Sequence, residues 1–252
     1  MIKSNSEPLV SVIIATYNSE KYLEECILSI LNQKYNEIEL IIIDGKSKDK
    51  TLDIIKKYKE KINYWVSEFD LGIYDAWNKG LKVANGSWIS FIGSDDFFDN
   101  NAIANYVNHI NTLDFVPDFV SSKITLINEN KKIIKVVGKA WVWNQFKRYM
   151  STLHVGMFHN KNLFEKYGYY NLNYRICADY ELLLRPKNNL ITSFLPLNTC
   201  FMRIGGISNK DTANFKEVYK IKTTTAGRFK FVAFIEYFVS LVWFKFCRLF
   251  KI

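Results

Sequence analysis

The chain has 252 residues, of which 48% are hydrophobic and 16% aromatic, enough for one large α/β domain or one domain with an appendage. A formal net charge of +9 allows nucleic acid, an anionic membrane or anionic small molecules as partners, so its distribution matters more than its sum. The four cysteines form no CxxC or Cys/His pattern, which predicts free thiols in a reducing compartment.

The first half of the chain alternates strand-like and helix-like segments, after a flexible N-terminus expected at residues 1–7. The first apolar run is too short for a signal peptide, so we expect a cytoplasmic protein. Asn18 or Ser19 is expected to cap the first helix, and Gly86 to end the third. The predicted order is strand 9–15, helix 20–33, strand 38–43, a helix from about 49, strand 62–66, helix 73–84 and strand 88–92. This order predicts a doubly wound, Rossmann-like, mostly parallel sheet with helices on both faces.

Polar residues collect where these strands end. Tyr17 and Asp44 follow the first two strands, and Asp95 and Asp96 follow the apolar run Trp88–Ile92. Ligands of such sheets bind beyond the carboxyl ends of the strands. Adjacent carboxylates in a loop suit Mg²⁺ or Mn²⁺, which commonly bridge to diphosphate oxygens, although an acidic turn without a ligand is the alternative.

The pattern loosens after residue 110. The expected elements are strands within Phe119–Val137 with a turn near Glu129–Asn130, a helix at 160–167, a helix at Asp179–Arg185 and a strand at Ile191–Ile204. No repeat or linker separates these segments from the first half. We therefore expect one domain over residues 8–228, with a nucleotide-binding half at about 8–110 and an acceptor half at about 111–228.

The C-terminal segment 229–252 differs in kind from the rest of the chain. It is rich in aromatic and basic residues, and on a helical wheel its charged positions, among them Glu236 and Lys245, occupy about half of the circumference. Charges at both ends and inside argue against a membrane-spanning helix, which needs about 20 mostly apolar residues. We expect an amphipathic helix in a membrane interface, with a core helix packed on the domain as the alternative.

Four motifs occur in one order along the chain. They are Val10–Asn18, Ile43–Ser47, Gly72–Gly80 and Ser94–Asp96. Together they resemble family 2 glycosyltransferases of the GT-A fold, especially bacterial enzymes that build surface polysaccharides. The resemblance covers residues 8 to about 208.

This resemblance implies that the nucleotide of a sugar-diphosphate donor lies across the first strands. Tyr17 would then stack on the base, and Thr16 and Asn18 would shape that pocket. Asp44 would contact the base or the ribose, because a carboxylate accepts hydrogen bonds from sugar hydroxyls. Many relatives carry a second acid where this chain has Gly45, so the identity of the base stays open.

The acidic pair takes a defined role from the same resemblance. Asp95 and Asp96 match the metal–diphosphate motif of the family, and Ser94 adjoins them in the donor site. Asp96 is the expected direct ligand of Mn²⁺ or Mg²⁺. The metal would stabilise the charge that a diphosphate leaving group gathers.

The Gly72–Gly80 motif lies on a predicted helix. Helical spacing predicts Trp77 in the core, and Lys79 is expected to be a solvated surface charge. Asp75 and Asn78 lie near the start of the helix, whose N-terminal amides favour an anion or a sugar hydroxyl. We expect both to line the donor site.

A catalytic base is needed for inverting sugar transfer, in which an acceptor hydroxyl attacks the anomeric carbon. The segment 176–185 resembles a late motif of the family, an acid pair followed by an apolar helix and Arg. The first acid is replaced by Ala178, and Asp179 matches the position of the base, so we choose it over Glu181. An N-cap role for Asp179 is compatible with this assignment.

His154 and the segment Gly205–Ser208 each allow two interpretations. His154 either faces the diphosphate, by analogy with relatives, or is a structural histidine. The five-residue spacing of His154 and His159 predicts opposite faces of a strand, which argues against a two-histidine metal site. The segment Gly205–Ser208, with Arg203 upstream, is either a phosphate-closing loop or a plain turn.

The sequence thus predicts a metal-dependent, inverting glycosyltransferase at the inner face of the cell membrane. Its donor is expected to be a nucleotide-diphosphate sugar, UDP-linked, and its acceptor a growing lipid-linked glycan; nucleic acid is not an expected partner. The alternatives are a catalytically silent glycan- or membrane-binding module and a nucleotidyltransferase, although the phosphate loop of the latter is missing. A dehydrogenase is disfavoured because no GxGxxG follows an early strand.

Overall fold

The computed structural model describes residues 7–205 and 213–250, apart from the side chains of residues 248 and 249. The strands in these ranges are β1 (Val10–Thr16), β2 (Ile38–Asp44), β3 (Tyr64–Ser67), β4 (Trp88–Gly93), β5 (Phe97–Phe98), β6 (Phe119–Ile127), β7 (Ile133–Val137), β8 (Met157–Asn160) and β9 (Thr192–Arg203). The α-helices are α1 (Leu23–Leu31), α2 (Thr51–Lys57), α3 (Ile73–Val83), α4 (Ala102–Thr112), α5 (Trp143–Phe146), α6 (Lys161–Tyr167), α7 (Ala178–Leu184), α8 (Ala213–Thr224) and α9 (Lys230–Phe250).

The strands of the described ranges join in one sheet of order β3-β2-β1-β4-β8-β6-β9-β5, and β7 pairs with β6 beside this path. β1 is parallel to β2 and β4, and β2 is parallel to β3. β8 runs antiparallel to both β4 and β6, so a parallel first half continues into a mixed second half. The predicted α/β fold is confirmed, and so is the C-terminal helix.

Both faces of the sheet are buried at β1, β2 and β4. Successive side chains of these strands point to opposite sides, so each strand contributes to two layers. Ile13 of β1 packs in one layer with Trp77 of α3. Ile14, its neighbour, packs in the other layer with Leu23 of α1 and Tyr106 of α4. Burial on two faces explains why the first strands read as continuous apolar runs.

The predicted helix caps are wrong. α1 begins at Leu23, and it is the backbone carbonyl of Ser19 that accepts the amides of Tyr22 and Leu23, while neither Asn18 nor Ser19 provides a side-chain cap. α3 ends at Val83, and its C-cap is Ala84, which has an extended backbone. Gly86 is therefore not the C-cap. Gly86 is required because a Cβ there would lie 2.5 Å from the backbone nitrogen of Ser11.

α9 packs on α8 through a mixed face, on which Tyr237 and Phe244 meet Tyr219 and Phe215 of α8 beside the charged Glu236. Glu236 lies 3.0 Å from Lys222 of α8 and also pairs with Arg228, and Ala233 is buried in the same contact. The outer face is exposed and apolar; it consists of Phe231, Phe234, Ile235, Phe238, Val239, Val242, Trp243 and Phe246. Glu236 therefore does not belong to a solvated polar face. Among the described helices, none is long and apolar enough to cross a membrane.

Candidate active site

Strand register brings the predicted donor residues to one edge of the sheet. Thr16 at the end of β1 pairs with Asp44 at the end of β2, and Ala15 pairs with Gly93 at the end of β4. The loops that carry Tyr17 and the acidic pair therefore leave the sheet side by side. This edge is where a doubly wound sheet binds its ligands.

Tyr17 presents a free aromatic surface at this edge, with 60% of the residue exposed. The backbone of Gly45 lies against it: a Cβ at residue 45 would come within 3.3 Å of the Tyr17 ring and 2.6 Å of Asp70 Oδ2. Asp70 thus lies beside the position where many relatives carry their second acid. Burial raises the pKa of Asp70, and its Oδ1 accepts the Gly72 amide at 2.8 Å. Asp70 is not among the residues predicted from the sequence, although an acidic residue two positions before the Gly72–Gly80 motif indicated it.

Asp44 is fully buried and holds the loop that follows β2. Its carboxylate accepts the Ser47 amide at 3.0 Å, the Ser47 hydroxyl at 2.5 Å and the Ser67 hydroxyl at 2.5 Å. These bonds fix the backbone around Gly45. The expected contact of Asp44 with a base or ribose stays a prediction.

The remaining donor candidates connect the three loops. Asn18, whose φ is 48°, accepts the Lys48 amide at 2.9 Å through its side chain. Ser94 Oγ lies 2.7 Å from Ser19 Oγ, which joins the β4 loop to the β1 loop. Thr16 is buried, and its hydroxyl has no hydrogen-bond partner among residues 7–205 and 213–250. The loops after β1, β2 and β4 are therefore bonded to one another, although they are far apart in the chain.

The acidic pair lies against Arg203 at the end of β9. Asp96 is buried and accepts the backbone amide of Arg203 at 2.9 Å, and the guanidinium donates to the Asp95 carbonyl and to Glu25, the latter at 2.6 Å. Burial, reinforced by the charge of Asp95, raises the pKa of Asp96 well above its usual range. Gly205 has a φ of +112°, and residues 206–208 of the predicted loop lie outside the described residues.

Two carboxylates are a partial metal site. Within the described residues there is no cluster of three or more His, Cys, Asp or Glu side chains that would hold an ion without other ligands. Mg²⁺ is usually bound by one or two carboxylates together with substrate phosphates and water, and Mn²⁺ takes similar oxygen ligands. A cation would also offset the burial and the charge of Asp95 that together raise the pKa of Asp96. Asp95 and Asp96 are therefore suitable ligands for a divalent ion whose other ligands are diphosphate oxygens and water.

The two polar residues of α3 have different surroundings. Asp75 accepts the Leu71 amide at 3.1 Å and stays near the donor edge. Asn78 is buried, and its amide group exchanges two 2.9 Å hydrogen bonds with the backbone of Tyr170. The structure therefore does not bring Asn78 to the donor site but uses it to join the two halves. Lys79 is not solvated as expected, because it donates to the Phe69 carbonyl at 2.7 Å.

Asp179 lies at the start of α7 and is partly buried. Its Oδ1 lies 2.8 Å from the Tyr74 hydroxyl and accepts the Tyr180 amide at 2.8 Å. Burial raises the pKa of Asp179, while the Tyr74 hydroxyl opposes that shift. Glu181, by contrast, forms a 2.6 Å ion pair with Arg185. Of the two acids, Asp179 alone is without a cationic partner among the described residues.

The predicted separation of the two histidines is wrong. His154 lies in a short 3₁₀ turn rather than a strand, and its ring centroid is 5.0 Å from that of His159. His154 stacks on Trp77 and lies 2.7 Å from the Tyr170 hydroxyl. Burial lowers the pKa of both histidines, that of His159 to about 4. Both belong to the core, which agrees with a structural role for His154.

Comparisons with known proteins agree with this geometry. The chain is similar to the S. aureus TarS 1-349 complex with UDP-GlcNAc, with a TM-score of 0.70, 21% identity and coverage of 85% of this chain and 65% of that one. It is also similar to the mannosyltransferase PcManGT from Pyrobaculum calidifontis, in complex with GDP-Man and Mn²⁺, with a TM-score of 0.63, 18% identity and coverage of 94% and 65%. The chain thus spans just under two thirds of these structures, and at such identities the likeness shows the GT-A fold.

A sequence relative and a family model show which family the chain belongs to. A PGL/p-HBAD biosynthesis glycosyltransferase of Mycobacterium bovis is 30% identical over 209 residues, with 80% of each chain covered. The model of the family described as "Glycosyl transferase family 2" matches residues 11–170, more than half of the chain. The resemblance drawn from the four motifs is confirmed: this chain belongs to glycosyl transferase family 2.

Proposed function

We propose that the protein transfers a sugar, with inversion, from a UDP-linked donor to a lipid-linked glycan in bacterial polysaccharide biosynthesis. The main support is the surrounding of Asp179, a partly buried carboxylate without a cationic partner among the described residues, held by Tyr74. Tyr74 lies on α3, the helix that begins at the donor edge. One helix thus connects the donor edge with the proposed base.

The donor would lie across the ends of β1, β2 and β4. Tyr17 would stack on the base, and Asp70, together with Asp44, would supply the carboxylates around it. Thr16, Asn18 and Asp75 would shape the walls of this pocket. The complexes of TarS with UDP-GlcNAc and of PcManGT with GDP-Man support a nucleotide-sugar donor.

Asp96 would bind Mn²⁺ or Mg²⁺ directly, and Asp95 and Ser94 would line the diphosphate. When bound, the ion supplies positive charge that stabilises the departing diphosphate. The Mn²⁺ in the PcManGT complex supports this choice of metal. Arg203 would hold the acidic loop in place through the Asp95 carbonyl.

Asp179 would accept the proton of the acceptor hydroxyl while that oxygen forms a bond to the anomeric carbon. The bond from the anomeric carbon to the diphosphate breaks on the opposite face, so the configuration inverts. A base works best when its pKa lies near the operating pH, and burial moves the pKa of Asp179 in that direction.

The exposed apolar face of α9 would lie in the cytoplasmic leaflet of the membrane, where a lipid-linked acceptor is found. Lys230 and Lys245 are exposed on the same helix, and the net charge of +9 favours anionic lipids. Large exposed apolar faces mark interaction sites.

The test is release of nucleoside diphosphate from a panel of UDP- and GDP-sugars, with a lipid-linked acceptor, in Mn²⁺ or in EDTA. We expect metal-dependent transfer by the wild type and a loss of about 10²-fold or more in Asp179→Asn, with donor affinity retained. Asp114→Asn, which changes an exposed acid beyond α4, is the matched control. Near-normal transfer by Asp179→Asn would show that another group is the base.

A further inference from the structure

Three consecutive backbone amides just before α7 donate to one carboxylate. Glu217 of α8 accepts the amide of Arg175 at 2.9 Å through Oε1, and those of Ile176 and Cys177 at 3.0 Å through Oε2. The acceptor and the donors are about forty residues apart in the chain. Charge-assisted bonds of this kind are stronger than neutral ones.

These bonds fix the turn from which Asp179 projects. Neither Arg175 nor Ile176 belongs to α7, whose N-cap is Cys177, and the amides of all three residues are bonded to Glu217. The Tyr74 hydroxyl also lies 2.7 Å from the Ile176 carbonyl within the same turn. The amides are thus held from α8 and the carbonyl from α3, with Asp179 two residues beyond.

α8 also links this turn to the C-terminal helix. Thr225, just after α8, donates to Glu181 of α7 at 3.2 Å, and Lys222 pairs with Glu236 of α9 at 3.0 Å. Each contact joins α8 to one of its neighbours. α8 therefore contacts the 175–177 turn through Glu217 and α9 through Lys222.

We propose that Glu217 is a positioning residue, which holds the 175–177 turn so that Asp179 meets the acceptor hydroxyl. This role rests on the proposed function, because it presumes that Asp179 is the base. Glu217 does not touch the donor edge, which is built by the ends of β1, β2 and β4. Its loss should therefore reduce turnover and leave donor binding intact.

Glu217→Gln tests this role, because the amide group turns one acceptor into a donor that faces backbone N–H groups. We expect kcat of transfer to fall about 10- to 100-fold, as small misplacements of a reacting group do, with donor KM within about twofold. Hydrogen–deuterium exchange in the peptide 173–180 should rise by about tenfold or more in the same full-length variant. Lys216→Ala, an exposed change on the same helix, is the control.

Glu217→Asp is the second variant, because it keeps the charge and shortens the reach, and it serves if Glu217→Gln does not fold. Unchanged exchange in 173–180, or unchanged kcat in an active enzyme, would overturn the role of Glu217. Raised exchange together with a wild type that transfers no sugar would instead contradict the proposed function. The two failures are thus told apart by a readout that needs no activity.

Discussion

The Tyr74 hydroxyl joins the two halves of the site through its one proton, which it shares between Asp179 Oδ1 and the Ile176 carbonyl. Tyr74 lies one residue into α3, is buried, and lies 2.8 Å from Asp179 Oδ1. A donor to a carboxylate stabilises its charged form, so this hydroxyl lowers the pKa that burial raises. The Gly72–Gly80 motif thus contacts the proposed base, Asp179.

Tyr74→Phe should therefore raise the pKa of Asp179. The base would lose its charge at a higher pH, so the acid limb of the pH–rate profile of transfer should move to higher pH, and turnover at neutral pH should fall about tenfold. Tyr180→Phe is the control, because that hydroxyl donates to the Phe146 carbonyl and not to Asp179. An acid limb that does not move would contradict the assigned role of Tyr74.

Gly45 and Asp70 are in contact although they come from different loops. The backbone of Gly45 leaves room for Asp70 Oδ2, which would lie only 2.6 Å from a Cβ at residue 45. A carboxylate from the β3–α3 loop therefore lies against the backbone of residue 45. The motif shows that Gly45 departs from the family pattern, in which many relatives carry an acid. It could not show that Asp70, from a distant loop, lies beside Gly45.

At the scale of elements, α9 is the clearest case of an unpartnered surface. Trp243 is 64% exposed and Phe238 56%, on the face that points away from α8. Full burial of such a side chain contributes about 1.5–3 kcal/mol, so a few of them are enough for peripheral binding.

Trp243→Glu should weaken binding to vesicles of phosphatidylglycerol and phosphatidylcholine about tenfold or more, because it removes apolar area and adds a charge repelled by anionic lipid. Cosedimentation at low and high salt measures this. Ile133→Glu adds the same charge on β7, at a side chain that is 61% exposed, and should leave binding almost unchanged. Equal binding by wild type and Trp243→Glu would exclude the α9 face as the contact.

The elements of the first half were predictable because each is set by a local pattern. β1, β2 and β4 are buried on both faces, so each is a short apolar run, and the parallel order follows from the helices between them. α4 was missed although its buried residues, Ala102, Ile103, Tyr106 and Val107, follow helical spacing. The boundary at residue 228 stays a prediction.

At the scale of the whole molecule, the buried histidines tie stability to pH. His159 is fully buried, and neither ring nitrogen finds a hydrogen-bond partner within the described ranges. Burial lowers its pKa from 6.5 to about 4, so the unfolded state binds a proton first as the pH falls. Its contribution is complete above pH 6.5 and is lost between pH 6.5 and about 4.

His159→Phe should remove this dependence, because the ring is already surrounded by Phe91, Phe119 and Phe164. The free energy of unfolding of the variant, relative to wild type, should rise by up to about 3 kcal/mol as the pH falls from 6.5 to 4. Chemical denaturation at several pH values measures it, with His109→Gln, at a partly exposed histidine, as the control. A difference that is constant with pH would refute the assignment.

Local spacing was enough for the α/β class and for the edge where Tyr17, Asp44 and the acidic pair collect, because these follow from the period of single segments and from the rule that parallel strands end together. The family followed from the resemblance of four motifs that occur in one order. Asp70 beside Gly45, His154 beside His159, and Glu217 on the 175–177 amides came only from the folded chain. They are contacts between segments far apart in sequence, whose side chains meet through packing that no local periodicity records.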